Sequence, residues 1–143
     1  MEALTMEKHL SVVTFPKGLP GFELLKEYKI QQYDELFSVL ISVTNPSVAF
    51  IIVNPFEFYP NYELDVPDDL LEEIEITNRD QVNIRCIVTW NSDRNKVTLN
   101  LLAPIIINFD RHSGKQIVLQ NVPYTTKHLL WINGIGDSEG GEG

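Results

Sequence analysis

The sequence predicts a mainly β protein: a small antiparallel β-barrel-like single domain with one short acidic helix. Three observations predict it. Six or more short apolar and β-branched runs are separated by Gly, Pro, Asn and Asp turn signals. Only Pro67 to about Ile76 carries helical spacing. The length of 143 residues suits one domain. A chain of that size buries roughly 70% of its unfolded surface, so it needs no disulfide, and Cys86 has no partner to form one. Strands this short and numerous favour a barrel or sandwich.

The elements follow in chain order. Ser11 to Phe15 is β-branched and stops at Pro16. Pro16 to Gly21 is a turn, because Pro fixes φ and Gly permits positive φ. Phe22 to Tyr28 reads as a short helical turn. Phe37 to Val43 and Ala49 to Val53 form a strand pair around Thr44-Asn45-Pro46-Ser47. In the helix, Pro67 suits the first position and Asp68 and Asp69 suit the positive dipole end, while Leu70, Leu71 and Ile74 make the apolar face. Ile84 to Trp90 and Val97 to Leu102 form a second pair across the polar loop 91–96. Ile105 to Asn108 and Gln116 to Leu119 form a third around His112-Ser113-Gly114. The domain is expected over residues 1–135, with a disordered Gly-rich acidic tail at 136–143.

Charge narrows the function. Acidic residues number 20 against 11 basic ones, a net −9. That balance argues against direct nucleic-acid binding, which needs clustered Lys and Arg on phosphates. It suits attraction of a basic protein. The excess is concentrated: residues 57–80 hold 9 acids and 1 base, whereas 81–136 hold 2 acids and 6 bases. No apolar run approaches the ~18 residues of a membrane span, and the N-terminus lacks a secretory pattern. A cytoplasmic, membrane-free protein is the expectation.

Catalytic and metal chemistry find little support. His9, His112 and His128 are scattered and lack ligand spacing. Cys86 sits in a β-rich run and reads as a small core hydrophobe. Gly114-Lys115 lacks the first Gly and the Ser/Thr of a phosphate loop, and reads as a hairpin turn. No motif argues for an enzyme, a cofactor or a metal.

Two segments stand out. Asn54 to Tyr62 packs Phe56, Phe58, Tyr59 and Tyr62 between Pro55 and Pro60. Rigidly held rings can anchor a partner, or they can plug one end of a barrel; both readings stay open for different rings. The run Leu99 to Asn108 bends at Pro104 as a strand pair, and its edge is a candidate partner groove.

These blocks carry a resemblance. Phe15-Pro16-Lys17-Gly18-Leu19-Pro20-Gly21-Phe22-Glu23, then Val53 to Leu64, then Val88-Thr89 with Thr98 to Asn108 and Gln116 to Leu119, resemble in order and spacing the bacterial flagellar assembly factor family FliW. The likeness spans about residues 9 to 120. It implies a small β-barrel-like fold and a non-enzymatic regulator. Its members bind CsrA, a basic dimeric RNA-binding repressor, and relieve its silencing of flagellin messages. They also bind cytosolic flagellin, so the two partners alternate. On that footing Asp65, Asp68, Asp69, Glu72, Glu73 and Glu75 are expected to supply the field facing CsrA, with Phe56, Phe58, Tyr59 and Tyr62 as anchors. An apolar groove for flagellin is expected near Leu101, Ile105 and Ile107. The competing reading is a generic β-barrel binding module for a small molecule or glycan.

Overall fold

Alternating apolar residues build most of the sheet. The computed structural model describes residues 10–131, so the expected tail at 136–143 lies outside the described residues. Seven strands form the barrel: β1 (Leu10–Thr14), β2 (Glu27–Gln32), β3 (Phe37–Ser42), β4 (Ala49–Val53), β5 (Asn83–Thr89), β7 (Ile105–Asn108) and β8 (Ser113–Gln116). Two short strands, β6 (Thr98–Leu99) and β9 (His128–Leu129), extend the sheet beyond β5. The ring runs β4-β3-β2-β1-β8-β7-β5 and closes by pairing β4 with β5.

The barrel is mainly antiparallel, with one parallel contact between β1 and β8, Thr14 opposite Ser113. Parity requires it. Strand direction must flip at each antiparallel pair, so a closed ring of seven cannot be antiparallel throughout. Closure removes the open edges that would otherwise seek partners.

Two apolar clusters result. One fills the barrel: Val13, Phe15, Tyr28, Ile30, Leu40, Ile52, Ile105 and Ile107, with Leu19 from the 15–25 loop. The second lies outside the barrel wall, where Leu70 of helix α1 (Asp68–Glu73), its capping residue Ile74 and Tyr62 cover Val53, Cys86, Val88 and Leu99. Strand β5 serves both, because its alternate residues face opposite clusters.

Several expectations need correction. Phe22 to Tyr28 is not helical: Phe22 and Leu25 close tight turns, and Glu27 onward enters β2. β2 buries only Tyr28 and Ile30 and shows polar residues to solvent, so it lacks an apolar signature. Pro67 caps α1 instead of starting it. β6 spans only two residues, because the Asn100 side chain accepts from the amides of Leu102 and Ala103 and bends the chain. The bend returns the chain past Pro104 to the same side of β5.

The third hairpin is shifted as well. Gly114 lies inside β8, not in a turn, and the turn is at 109–112. Gly114 is required there because a Cβ would sit 2.8 Å from the Phe15 ring.

Candidate functional site

The acidic segment becomes a ridge on the barrel's outer wall. α1 has six residues and buries Leu70, with Ile74 buried just after it, so Asp65, Asp68, Asp69 and Glu72 stay on the solvent side. A helix this short gains little from propensity; packing and a polar clamp hold it. Asn108, fully buried at the end of β7, supplies the clamp. Its Nδ2 donates to the carbonyls of Ile74 at 2.9 Å and Glu75 at 3.2 Å, where the helix ends. Its Oδ1 accepts from the amides of Asp110 at 3.1 Å and Arg111 at 3.3 Å. One side chain thus locks the helix C-terminus to the β7–β8 turn, and Glu75 turns the chain with a φ of 59°.

Two of the six expected acids are already paired. Glu73 accepts from Lys115 Nζ at 2.9 Å and lies 3.7 Å from Lys17 Nζ. The Lys115 bond holds the Glu73 carboxyl below its ordinary pKa and lifts that of Lys115. Glu75 lies 3.7 Å from Arg111. These pairs fasten the ridge to basic residues of the barrel. Asp65, Asp68, Asp69 and Glu72 have no ion pair among the described residues.

The four aromatics of the 54–62 loop divide between the two readings. The Asn54 side chain accepts from the Phe56 amide at 3.0 Å and starts a 3₁₀ turn at Pro55–Glu57. Phe56 is exposed. Tyr62 is core: its hydroxyl donates to Leu101 O at 2.7 Å and its ring meets Tyr124 at 4.7 Å. Tyr59 is half-buried, donating to Leu129 O at 2.6 Å. Phe58 is half-buried against Trp131 and Phe37. So Phe56, 39% exposed, is the most open of the four, beside a hollow of about 550 Å³ walled by Tyr62, Leu64, Asp65 and Pro123.

The groove expected near Leu101, Ile105 and Ile107 is absent. All three are 0% exposed. Ile105 and Ile107 point into the barrel and Leu101 into the outer cluster. β7 lies between β5 and β8 with every residue buried, so its apolarity reflects cover on both faces.

An open apolar groove exists elsewhere, unforeseen from the sequence. Val39 and Ile51, paired across β3 and β4, form its floor. Tyr33, Phe37 and Trp90 wall it, and Asp34 sits at its rim, around about 410 Å³. Tyr33 is 78% and Trp90 58% exposed. The available signal was that β3 and β4 are apolar on both faces, although only one can face the barrel.

Other chemistry is limited. Burial pushes the Cys86 thiol up to about 12, so it is unreactive in the fold. Among the described residues, no three His, Cys, Asp or Glu side chains gather to hold a metal, and every Asp and Glu is exposed. No helix among them is long and apolar enough to cross a membrane.

The family model described as FliW protein matches residues 3–130. The flagellar assembly factor FliW of Clostridium novyi is 39% identical over 131 residues, 90% of this chain and 91% of that one. The one from Anoxybacillus flavithermus is 37% identical over 123 residues, 85% of each chain. A crystal structure of the flagellar assembly factor FliW superposes with a TM-score of 0.80 at 39% identity, covering 87% of this chain and 86% of that one. The chain therefore belongs to the FliW family of flagellar assembly factors.

Proposed function

We propose that this chain is a cytoplasmic, non-enzymatic partner-switching regulator that binds CsrA through the α1 ridge and flagellin through the apolar groove. The observation that carries it is the ridge: Asp68, Asp69 and Glu72 on a short helix clamped to a closed barrel, with Asp65 just before it, all exposed and none in an ion pair among the described residues. CsrA must present Lys and Arg to RNA phosphates. A rigid negative ridge steers such a partner and speeds its arrival. Once docked, it holds negative potential beside the RNA track and repels the incoming backbone, which frees flagellin messages for translation.

Flagellin asks for different chemistry. Its ends are amphipathic helices whose apolar faces are covered only in the filament. An apolar trough with aromatic walls receives such a face, and the trough between Tyr33, Phe37, Val39, Ile51 and Trp90 has those properties. The groove lining at Ile51 and the Val53 covered by Leu70 and Ile74 are two residues apart on β4, so flagellin seated in the groove obstructs CsrA at the ridge and leaves CsrA to repress.

The test is a competition by size-exclusion chromatography with purified CsrA, flagellin and a target RNA hairpin. Two mutually exclusive complexes, with the RNA displaced from CsrA, are expected. A stable ternary complex with flagellin, or RNA still bound, would refute the switching scheme.

A further inference from the structure

The barrel's interior is not apolar throughout. Inward positions of β1 to β4 change from Val13, Tyr28, Leu40 and Ile52 in the middle to Ser11, Gln32 and Ser38 at one mouth. Into that mouth β5 projects Arg85, one residue beyond the Ile84 carbonyl that its Nη1 contacts at 2.8 Å. The resulting hollow is about 120 Å³, walled by Ile30, Ile52 and Phe109 below the polar rim. Six of the seven barrel strands, or their ends, contribute a residue to it.

An arginine there needs an explanation. Its side chain is largely withdrawn from solvent, and burial pulls the guanidinium below its ordinary pKa, a sign that its charge is poorly compensated. A guanidinium has five N–H donors in a fixed fork, and protein carbonyls occupy one. Among the described residues no carboxylate lies within 4.0 Å of it. A Met or Leu at this position would extend the barrel's apolar core at no such cost. The Ser11 and Ser38 hydroxyls beside it donate to no group among the described residues.

We propose that this barrel mouth is a receptor for a singly charged carboxylate, gripped by the Arg85 fork and flanked by the Ser11 and Ser38 hydroxyls. The fork matches a carboxylate's two oxygens. One cation in a chain of net −9 compensates one negative charge, which disfavours phosphates and polyacids. The volume admits a carboxylate with a short tail; sugars and nucleotides need the roughly 300–1,000 Å³ of ordinary ligand pockets. Barrel mouths are a usual place for such sites. The carboxylate comes either from a free small acid or from a side chain. Glu2 and Glu7 of this chain are the nearest side-chain source in sequence, preceding β1, whose Ser11 lines the mouth.

The test uses full-length chain, isotope-labelled, titrated with acetate at constant ionic strength against a chloride control. Expected are a saturable shift of the Arg85 Nε–H resonance and a Tm rise of about 3–6 °C at ~10 times Kd. Ser11→Ala and Ser38→Ala should each weaken binding by roughly 2–10-fold. Arg85→Met should abolish it, and Arg85→Lys, which keeps the charge without the fork, should weaken it at least ~10-fold. Saturable binding only after Glu2→Gln with Glu7→Gln means the same receptor is filled by its own chain, and supports the proposal. Binding in the wild type that the double variant leaves unchanged assigns the site to a free acid. No saturable binding in either background, or undiminished binding in Arg85→Met and Arg85→Lys, overturns the proposal.

Discussion

Asn108→Ala is the sharpest test of how the acidic ridge is held. The substitution removes four hydrogen bonds at once: two to the carbonyls of Ile74 and Glu75, two from the amides of Asp110 and Arg111. Each bond contributes a net ~1 kcal/mol. The longest, at 3.3 Å, contributes less. The Ile74 carbonyl is left buried without a donor, which adds cost. The expected loss is about 3–4 kcal/mol, a large share of the 5–15 kcal/mol typical of a domain. It corresponds to a Tm drop of roughly 10 °C for a chain of this size. Urea unfolding followed by circular dichroism measures it. Hydrogen exchange adds a spatial signature: amides of residues 70–76 should lose protection before those of β3 and β4. Asn108→Asp separates the two halves of the clamp, because it keeps the acceptor and loses the donor. It should keep the bonds from the Asp110 and Arg111 amides and lose both bonds to the helix carbonyls, so residues 70–76 should lose exchange protection while the 109–112 turn keeps its own. A loss under ~1 kcal/mol for Asn108→Ala, with unchanged exchange in the helix, would refute the clamp.

Three further outcomes follow from single contacts. Gly114→Ala places a methyl 2.8 Å from the Phe15 ring and 3.1 Å from the Ile106 carbonyl; overpacking should cost about 1–3 kcal/mol, and Phe15→Leu in the same chain should recover part of it in thermal melts. Glu73→Gln should cost roughly 0.2–1 kcal/mol at neutral pH, because the carboxylate is partly exposed. Since the folded Glu73 pKa is lowered, its contribution exists above the ordinary ~4.3 and vanishes as pH falls through the folded value; the variant should therefore show a shallower acid loss below about pH 5. Trp90→Ala removes a ring that is 58% exposed, so melting should barely change while flagellin affinity falls at least ~10-fold by calorimetry.

The strands that were legible are those with dense apolar or β-branched runs: β1, β3, β4, β5 and β7. β2 escaped because Glu27, Lys29 and Gln31 face solvent and Gln32 ends the inward row at the polar mouth, which leaves only two inward apolar residues. β8 was displaced because a glycine, ordinarily a turn marker, serves here to admit the Phe15 ring from beside the neighbouring strand β1. Charge was legible as an address, residues 57–80, but not its partition. Only tertiary structure brings Lys115, Lys17 and Arg111 to Glu73 and Glu75, from far along the chain. The apolar run 99–108 misled about the groove because apolarity reports burial, and a strand covered on both faces offers nothing to a partner. Asn108, the residue that positions the ridge, closes that same run and gave no signal beyond being a polar residue after three isoleucines.

The ridge is best tested by charge reversal that spares the structural pairs. Asp65, Asp68, Asp69 and Glu72 are changed together to Lys, with Glu73 and Glu75 left in place to keep the helix fastened. Stopped-flow association with CsrA is then measured across a range of salt. The wild type should associate fast and slow steeply with salt, whereas the variant should associate at least ~10-fold slower with a flattened salt dependence and leave RNA bound to CsrA. An unchanged rate, salt slope and RNA displacement in a folded variant would contradict an electrostatic role for the ridge.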